Sequence, residues 1–443
     1  MSDLLLGIDV GTSACKAAVI DADGAELAHG QVATPWERVA TGAQVDPENL
    51  LGAAVQAAQQ ALERAPEAGV AAIGVTSMAE AGVLLNADGR TLHPAVAWYD
   101  ARGAGEARMI ARELPEFVER TGLPPSPLCT LAKLCRLGTS GAARWLNVAE
   151  WVVHRLWGRQ VSELSLSSRT GLLDLDPIAP YHDALRWAGL PSDLLAELVA
   201  GGSDAGRSDG VALPGTEGAV LSVAGHDHLV AGVGVGVVAP GDLLDSCGTA
   251  EALVRVVAPP LDAAARRRAV EGGAAVGWHV VPGRQTVLAG LWSGMALREV
   301  LDALGVDETG RDQLDAGALA IAPGDAPAFE LELRSLDRPP LVLPEGEPAL
   351  VWRAAIDAVA REVEARIARI DAVAGPHTKV VVTGGWARDR AVLEAKAALG
   401  AVETPAVIEA GCRGAALLAG VAAGRYPSAD ALPAVPYAAK EPA

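Results

Sequence analysis

Residues 4–21 read LLLGIDVGTSACKAAVID, and this stretch decides the fold class of the chain. The apolar run Leu4–Val10 meets the turn Gly11-Thr12-Ser13 and resumes as Lys16–Asp21. Runs of β-forming residues on both sides of a glycine predict a strand, a tight turn and a second strand. A further apolar run at residues 70–76 contains a glycine and predicts a buried strand. Together these runs indicate the start of an α/β domain.

The same pattern returns in the second half of the chain, where residues 242–257 read DLLDSCGTAEALVRVV. A repeat of this kind indicates an internal duplication, with one copy opening each of two domains. A length of 443 residues is long for one domain and comfortable for two. We therefore predict an α/β protein with domains at residues 1–223 and 224–443. The boundary follows a loop rich in Gly, Ser and Asp at residues 201–210.

Composition and charge exclude several classes of protein. Half of the residues are hydrophobic, so each half can bury a core. The net charge of −19 disfavours a nucleic-acid surface, although ATP phosphates can still be held by backbone N–H groups and metal. The five cysteines are scattered, which favours reduced thiols over disulfides or zinc. The N-terminal segment lacks a basic region and no apolar run reaches about 18 residues, so we expect a cytoplasmic protein that does not enter membranes.

Asp9 stands at the end of the first predicted strand, directly before the glycine turn. A carboxylate in this position can hold hydrated Mg²⁺ beside phosphates that backbone N–H groups cradle. Thr12 and Ser13 add hydroxyl groups, and Lys16 adds a positive charge. An ordinary hairpin turn with a surface aspartate is the alternative interpretation.

A second cluster of ionisable groups is Gly225-His226-Asp227-His228, which precedes the apolar, glycine-rich run 229–238. Three such groups are costly to bury without a purpose. The carboxylate of Asp227 could accept the proton of an attacking hydroxyl group, which is the work of a general base. Two alternatives stay open. The histidines could bind a metal ion, although no further Cys or His cluster supplies other ligands, or the segment could be purely structural.

The segment Trp98-Tyr99-Asp100-Ala101-Arg102 follows a short apolar strand at Ala95–Ala97. An indole ring packs on the C–H face of a sugar, while a carboxylate and a guanidinium group bind its hydroxyls. Glu80 could supply a further hydroxyl acceptor. The alternative is a core aromatic residue beside a surface ion pair.

The end of the chain predicts a helix, a strand and a glycine turn. Apolar residues from Val351 to Ile370 recur at helical spacing, and Lys379–Thr383 is a β-forming run. Gly384-Gly385 follows this strand, and paired glycines let a backbone approach a flat ligand such as adenosine. A plain turn between a strand and a helix explains them as well.

Taken in order, these segments resemble the FGGY family of carbohydrate kinases over nearly the whole chain. The first phosphate loop of that family is similar to GIDVGTSACKAAVIDADG, and its sugar-side segment to VLLNADGRTLHPAVAWYDARG. Its mid-domain segments resemble TGLPPSPLCTLAKL and SELSLSSRTGLLDL. Its base-bearing helix and second phosphate loop resemble GHDHLVAGVGVGVVAPGDLLDSCGTAEAL, and its adenosine-binding end resembles VVVTGGWARDRAVLEAKAALG with CRGAALLAGVAAG. The resemblance implies two duplicated actin-like, ribonuclease H-like ATPase domains with a cleft between them.

The resemblance also implies a role for each candidate residue. Asp9 would lie near Mg²⁺, and Asp227 matches the catalytic base of the family. The nucleotide side would comprise Gly11, Thr12, Ser13 and Lys16 at the first loop, Gly248 and Thr249 at the second, and Gly384 and Gly385 at the adenosine. The sugar or polyol side would comprise Glu80, Trp98, Asp100, Arg102 and His228.

The implied reaction is Mg²⁺-assisted transfer of the ATP γ-phosphoryl group to a hydroxyl of a small carbohydrate. A ketopentose, a tetritol or other polyol, and a sugar acid all stay open as acceptors, and Arg102 could favour a carboxylate. Ala79 stands where glycerol kinases carry Arg, which disfavours glycerol, and residues 329–344 lack the Pro-Tyr-Leu-x-Gly-Glu-Arg pattern of the family. The family would allow a homodimer. A non-catalytic actin-like scaffold and an inactive kinase relative are the alternatives.

Overall fold

The structure is a computed structural model that describes residues 4–322, 324–333 and 339–437. Within the stretch 329–344, which departs from the family pattern, residues 334–338 lie outside the described residues. Among the helices of the described ranges, none combines the length and the apolar character needed to cross a membrane.

Both strands and helices occur throughout the described chain. The strands are β1 Leu4–Val10, β2 Ala14–Ile20, β3 Glu26–Ala33, β4 Glu37–Val39, β5 Gly42–Val45, β6 Val70–Ser77, β7 Gly82–Leu85, β8 Ala95–Val96, β9 Arg144–Asn147, β10 Val161–Glu163, β11 Leu173–Asp174, β12 Ala179–Pro180, β13 Glu197–Val199, β14 Val220–His226, β15 Asp242–Cys247, β16 Glu251–Val257, β17 Ala275–Trp278, β18 Gln285–Leu291, β19 Lys379–Thr383 and β20 Val402–Glu403. The helices are α1 Pro47–Arg64, α2 Ala104–Glu113, α3 Phe117–Thr121, α4 Thr130–Leu137, α5 Val148–Arg155, α6 Leu164–Ser167, α7 His182–Trp187, α8 Asp227–Gly234, α9 Ala263–Glu271, α10 Ser293–Leu304, α11 Glu308–Leu319, α12 Pro348–Ala374, α13 Arg390–Ala395 and α14 Ala410–Ala422. Short 3₁₀ turns occupy Gly385–Arg388, Lys396–Leu399 and Ala429–Ala431.

The first sheet contains β14, β6, β1, β2 and β3 in this order. The antiparallel pair β1 and β2 forms the predicted hairpin, with Asp9 opposite Lys16. β6 runs parallel to both of its neighbours, so Asp9, Thr76 and Gly225 are aligned across three strands. The carboxyl ends of parallel strands form the edge at which α/β sheets bind ligands. This register therefore brings Asp9 and the segment after β14 to the same edge.

The second sheet contains β17, β18, β16, β15, β19 and β20. Its strands β18, β16 and β15 are antiparallel, and β19 and β20 continue in parallel. Apart from the extra strand β17, this arrangement repeats the first sheet. The duplication predicted from the two Gly-Thr turns is therefore confirmed in the topology.

Helices α8 and α14 lie between the two sheets. Buried apolar side chains of α14 join one cluster with the first sheet and another with the second. Glycines make the contacts close: a Cβ at Gly7 would lie 1.8 Å from the carbonyl oxygen of Cys412, and one at Gly414 would lie 1.9 Å from that of Val230. Helix α14 thus packs directly on β1.

The predicted boundary near residue 223 falls inside β14. This strand stays paired with β6 as far as His226, so a division between the sheets would follow that residue. In addition, α14 packs on the first sheet although it belongs to the segment 224–443. The division into domains at residue 223 stays a prediction.

Several local signals produce the predicted elements. Asp46 caps α1 and accepts a hydrogen bond from the N–H of Glu48 at 2.8 Å, as expected for an aspartate before a helix that begins with proline. Helix α12 covers and extends the predicted helix at residues 351–370. Strand β19 coincides with the predicted strand, whereas β2 begins and ends slightly before the predicted Lys16–Asp21.

Candidate active site

Asp9 lies near the end of β1, before the Gly11 turn. Its Oδ1 atom is buried and has no hydrogen-bond partner among the described residues. Burial raises the pKa of Asp9 to about 8, the charge of Asp227 adds to this, and the charge of Lys16 opposes it. A buried carboxylate oxygen without a partner can bind a cation or the water that a cation carries. The residue therefore fits the predicted Mg²⁺ site.

The turn after Asp9 is held by its neighbours. The N–H of Gly11 donates to the carbonyl of Ala14 at 3.1 Å and closes the hairpin. The carbonyl oxygen of Thr12 accepts the indole N–H of Trp36 at 2.7 Å, and its hydroxyl accepts that of Trp98 at 2.9 Å. Ser13 is exposed. Thr12, which was predicted to face the phosphates, is thus hydrogen-bonded to Trp98, which was predicted to face the sugar.

Lys16 reaches from β2 to the start of α14. Its Nζ lies 2.9 Å from Oε2 of Glu409. Burial alone would lower the pKa of Lys16, but the carboxylate of Glu409 outweighs it and raises the pKa. The same helix start adjoins Asp9, since a Cβ at Gly411 would lie 2.4 Å from Oδ2 of Asp9. Lys16 and Asp9 therefore both adjoin the start of α14, and the role of Lys16 in binding nucleotide stays a prediction.

Asp227 is the first residue of α8 and follows β14 directly. Its Oδ1 accepts the backbone N–H of His228 at 2.7 Å and lies 3.3 Å from Nε2 of His226. Burial raises the pKa of Asp227 to about 7, the N–H of His228 opposes this rise, and the charge of Glu80 adds to it. The side chain is still 23% exposed. A reachable carboxylate with a pKa near neutrality suits proton abstraction.

A buried polar chain fixes the start of α8. The N–H of His226 donates to Oγ of Ser165 at 3.0 Å, and the hydroxyl of Ser165 donates to Glu163 at 2.6 Å. The hydroxyl of Thr76 donates to the carbonyl of Gly225 at 2.7 Å. Gly225 has a φ of 122°, and a Cβ there would lie 2.7 Å from Oγ of Ser165. Only glycine fits at this position near the end of β14, so the position of Asp227 is tightly determined.

Glu80 pairs with Arg169, a residue to which the sequence assigned no role. Oε1 of Glu80 lies 2.7 Å from Nε and 2.6 Å from Nη2 of Arg169. The side chains are only 10% and 14% exposed. The charge of Glu80 acts on Asp227, and the charges of both Glu80 and Arg169 act on His228. The pair therefore lies beside the candidate base.

Lys133 in α4 holds the backbone on the side of the site that carries Glu80 and Trp98. Its Nζ donates to the carbonyl oxygens of Trp98 at 2.7 Å, Leu128 at 3.1 Å and Glu80 at 3.2 Å. An ammonium group has three donors, and each has an acceptor here. Burial lowers the pKa of Lys133 to about 8. This lysine joins three backbone segments around the predicted sugar pocket.

Asp100 and Arg102 bind each other. Nε and Nη2 of Arg102 each lie 3.0 Å from a carboxylate oxygen of Asp100, and Nη1 lies 3.2 Å from Oε1 of Gln44. Burial would raise the pKa of Asp100, but the hydrogen bonds and charge of Arg102 outweigh it and lower the pKa. The sequence analysis considered a surface ion pair here, and the pair that forms is buried, since the side chains of Asp100 and Arg102 are 0% and 13% exposed.

Trp98 is stacked on Trp292, which precedes α10 in the second half of the chain. The ring centroids are 5.8 Å apart and the planes differ by 4°. Helix α10 packs on the second Gly-Thr turn, because a Cβ at Gly294 would lie 2.0 Å from the carbonyl oxygen of Gly248. The N–H of Met295 also donates to the carbonyl of Thr249 at 3.0 Å. Through the indole pair, the second turn is brought close to the first.

The glycines after β19 differ in their surroundings. Gly384 has a φ of 97°, and a Cβ there would lie 2.4 Å from the carbonyl oxygen of Cys247. A Cβ at Gly385 would meet no described atom within 4 Å. Gly384 is thus required for packing on the second turn, while Gly385 borders open space, where adenosine binding stays a prediction.

A charged cluster is buried beneath the second turn. Nζ of Lys396 lies 2.5 Å from Oδ2 of Asp245 and 3.0 Å from Sγ of Cys247, and it also binds Glu251. The hydroxyl of Ser293 donates to Glu251. Within the described ranges, Asp245, Cys247 and Glu251 form the one cluster of three or more side chains of metal-ligating type. The ammonium group already contacts all three, and the His226–His228 segment forms no such group.

The structure brings Thr12 and Trp98 into direct contact and pairs Asp100 with Arg102. Sequence reasoning missed Lys133, Arg169, Trp292 and Lys396, which contact Glu80, Trp98 or the second turn. One signal could have found two of them. Five of the 36 basic side chains are lysines. A chain that otherwise uses arginine needs lysine where a compact ammonium group with three donors must fit. Lys133 and Lys396 are both buried at the site.

A Gly-Thr hairpin in each of two sheets of like topology, with Asp9 and Asp227 at one edge of the first sheet, is the arrangement of the actin-like ATPase fold. Solved structures have this fold. A xylulose kinase from Rhodospirillum rubrum aligns with a TM-score of 0.87 at 21% identity, covering 98% of this chain and 93% of that one. A glycerol kinase from Plasmodium falciparum with ADP aligns with a TM-score of 0.81 at 14% identity, covering 99% and 94%. The predicted fold class is confirmed.

The family model for the N-terminal domain of the FGGY family of carbohydrate kinases matches residues 4–234. A glycerol kinase of Thermus brockianus is 30% identical over 97% of this chain and 92% of its own length. A gluconokinase of Bacillus subtilis (strain 168) is 25% identical over 98% and 90%. The chain belongs to the FGGY family of carbohydrate kinases. The predicted family and the predicted enzyme class, a phosphotransferase, are both confirmed.

Proposed function

We propose that this kinase transfers the γ-phosphoryl group of ATP to a hydroxyl group of a small sugar or polyol. Asp227 acts as the general base, and Mg²⁺ binds beside Asp9. The observation that supports this most is the position of Asp227, which follows β14 directly at the sheet edge where β1 carries Asp9 and where Glu80 follows β6. Use of ATP is expected for the family.

Asp9 fits the metal because its Oδ1 atom is buried without a partner among the described residues. When bound, Mg²⁺ would neutralise charge on the phosphate oxygens. The backbone N–H groups of the two Gly-Thr turns would donate to the phosphates from both sides of the cleft. Lys16, paired with Glu409, would lie near the phosphates. Gly384 and Gly385 would lie near the adenosine.

On the acceptor side, the carboxylate of Asp227 takes the proton of the attacking hydroxyl group. Glu80 and the Asp100–Arg102 pair bind other hydroxyls of the acceptor, with His228 beside them, and Trp98 offers its ring to a C–H face. Catalysis of this kind is mostly positioning and charge stabilisation. Closure of the cleft would exclude water that could otherwise hydrolyse ATP.

The test is an ADP-release screen with Mg²⁺ and ATP across ketopentoses, tetritols, other polyols and sugar acids. We expect at least one acceptor to raise ADP release about a hundredfold over ATP alone, since proton abstraction by a base contributes 10²–10⁴-fold. Mass spectrometry should show the phosphorylated acceptor. ADP release that no acceptor stimulates would contradict the proposal and favour a nucleotide-binding scaffold or an inactive relative.

A further inference from the structure

We infer that the acceptor is an uncharged sugar or polyol rather than a sugar acid, because each described cationic side chain of the acceptor pocket is already paired within the chain. The inference deepens the proposed function and rests on it. It runs against the suggestion that Arg102 favours a carboxylate. It also separates this chain from the Bacillus subtilis gluconokinase, with which it is 25% identical.

The first cation of the pocket is Arg102. Its guanidinium group meets Asp100 through two parallel hydrogen bonds of 3.0 Å, and Nη1 donates to Gln44. Asp100 is fully buried and the Arg102 side chain is 13% exposed. A bidentate pair of this kind uses the planar fork that would otherwise recognise a substrate carboxylate. Arg102 can still donate to hydroxyl groups, but its charge is balanced.

The second cation is Arg169. Glu80 accepts from both Nε and Nη2 of Arg169, at 2.7 and 2.6 Å. The pair comes from segments 89 residues apart and is nearly buried. Because Glu80 neutralises Arg169, the two side chains together present a neutral polar surface beside Asp227.

The third cation is Lys133, whose ammonium group is enclosed by three backbone carbonyls. It is 3% exposed. Both histidines of the pocket are neutral near pH 7, because burial lowers the pKa of His228 to about 4 and that of His226 well below its ordinary value. None of these groups offers a free positive charge.

Among the charged groups named above, Asp227 is the carboxylate that faces the pocket without a cationic partner, and its side chain is 23% exposed. A substrate carboxylate would lose water beside it without meeting a free cation, and burial of a charge without a partner is unfavourable. Hydroxyl groups suit the same surroundings, since they donate to carboxylates and accept from guanidinium groups. The stacked rings of Trp98 and Trp292 add apolar faces for C–H groups. The pocket therefore matches an uncharged polyhydroxylated molecule.

The test compares acceptors that differ only in charge. Glycerol and glycerate, erythritol and erythronate, xylitol and xylonate, and glucitol and gluconate form matched pairs, with ketopentoses added. The quantity measured is kcat/KM of the wild-type enzyme with Mg²⁺ and ATP. We expect the best acceptor to be uncharged. In each pair whose polyol is a substrate, kcat/KM for the polyol should exceed kcat/KM for the acid at least about tenfold. A sugar acid as the best acceptor overturns the inference and leaves the proposed function intact. Turnover of no acceptor overturns both.

A variant tests the charge pairing itself. Glu80→Gln keeps the shape of the side chain and removes the charge that balances Arg169. Overall activity should fall, but the ratio of kcat/KM for acid over polyol should rise about tenfold. Asp193→Asn is the matched control, since Asp193 is exposed, and it should leave the ratio unchanged. An unchanged ratio in Glu80→Gln contradicts the inference. The wild-type panel decides the question even if the variant does not fold.

Discussion

At the scale of single residues, the site depends on side chains whose chemical type is set by the atoms around them. Lys133 meets three carbonyl oxygens, and Lys396 meets two carboxylates and a thiol. An ammonium group carries three donors on one compact atom, whereas arginine spreads its donors over a planar fork. Arg102, in contrast, faces a single carboxylate side-on, where a planar group is needed. The choice between the two cations is therefore geometric.

Asp227 should make activity depend on pH. Burial raises the pKa of this carboxyl to about 7. The protonated form cannot accept a proton, so activity is present above this pKa and is lost as the pH falls through it. We expect kcat/KM to decline about tenfold per pH unit on the acid side of the apparent pKa. The measurement is a pH profile of kcat/KM with saturating ATP and Mg²⁺. A profile that is flat from about pH 5 to 8 would contradict the assignment.

How far single residues could be predicted depended on where their partners lie. Asp9 and Asp227 follow recognisable strands, so the pattern around each indicated its role. The bond between Asp100 and Arg102 joins residues two positions apart, and the sequence offered that ion pair as an alternative. Arg169 could not be placed in the same way, since its partner is 89 residues away.

At the scale of elements, the two Gly-Thr hairpins are supported differently. The first is held by hydrogen bonds from two indole groups to Thr12. The second stands on the buried cluster of Asp245, Glu251 and Lys396, which ties β15 and β16 to the turn after α13. Loss of the ammonium group would leave two carboxylates buried together. The second hairpin is thus the one whose stability depends on charge.

Lys396→Met should therefore lower the free energy of unfolding by about 3–5 kcal/mol, the usual cost of removing one partner from a buried ion pair. Lys379→Met is the control, because Lys379 is 28% exposed, donates to the carbonyl of Gly236 and lies 3.7 Å from a single carboxylate oxygen, that of Asp242. Lys379→Met should lower the free energy of unfolding by less than about 1 kcal/mol. Urea unfolding of both variants provides the measurement. Equal stability of the two variants would show that the cluster does not support the hairpin.

Elements with strong local signals were predicted well. The Gly turn predicted β1 and β2, and the Asp46-Pro47 pair predicted the start of α1. A β-forming run predicted β19. The roles of α4 and α6 were not predictable, because Lys133 and Ser165 act on backbone atoms of distant segments. Such contacts arise from packing and have no signature in spacing.

At the scale of the whole molecule, one arrangement of strands occurs twice, and helices α8 and α14 lie between the copies. The duplication could be predicted because both copies keep a Gly-Thr turn between two apolar runs. The place of α14 could not, since a helix from the end of the chain packs on the first strand through glycines such as Gly7 and Gly414. Because α14 belongs to the second half of the chain and packs on the first sheet, the proposed boundary at residue 223 stays a prediction.

In the proposed function, the cleft has two chemically different sides. Asp9 and the start of α14 would face the phosphates, and the paired charges around Lys133 would face the acceptor. Asp227 interacts with both through its charge. The whole account depends on this carboxylate, because it is where a hydroxyl group and a phosphate would meet.

The most direct test is the turnover of Asp227→Asn with the best acceptor from the screen, measured beside its affinity for ATP. The account predicts a loss in kcat of about 10²–10⁴, with ATP affinity within about twofold of wild type. Asp193→Asn should match wild type in both quantities. Turnover of Asp227→Asn close to wild type would contradict the central claim.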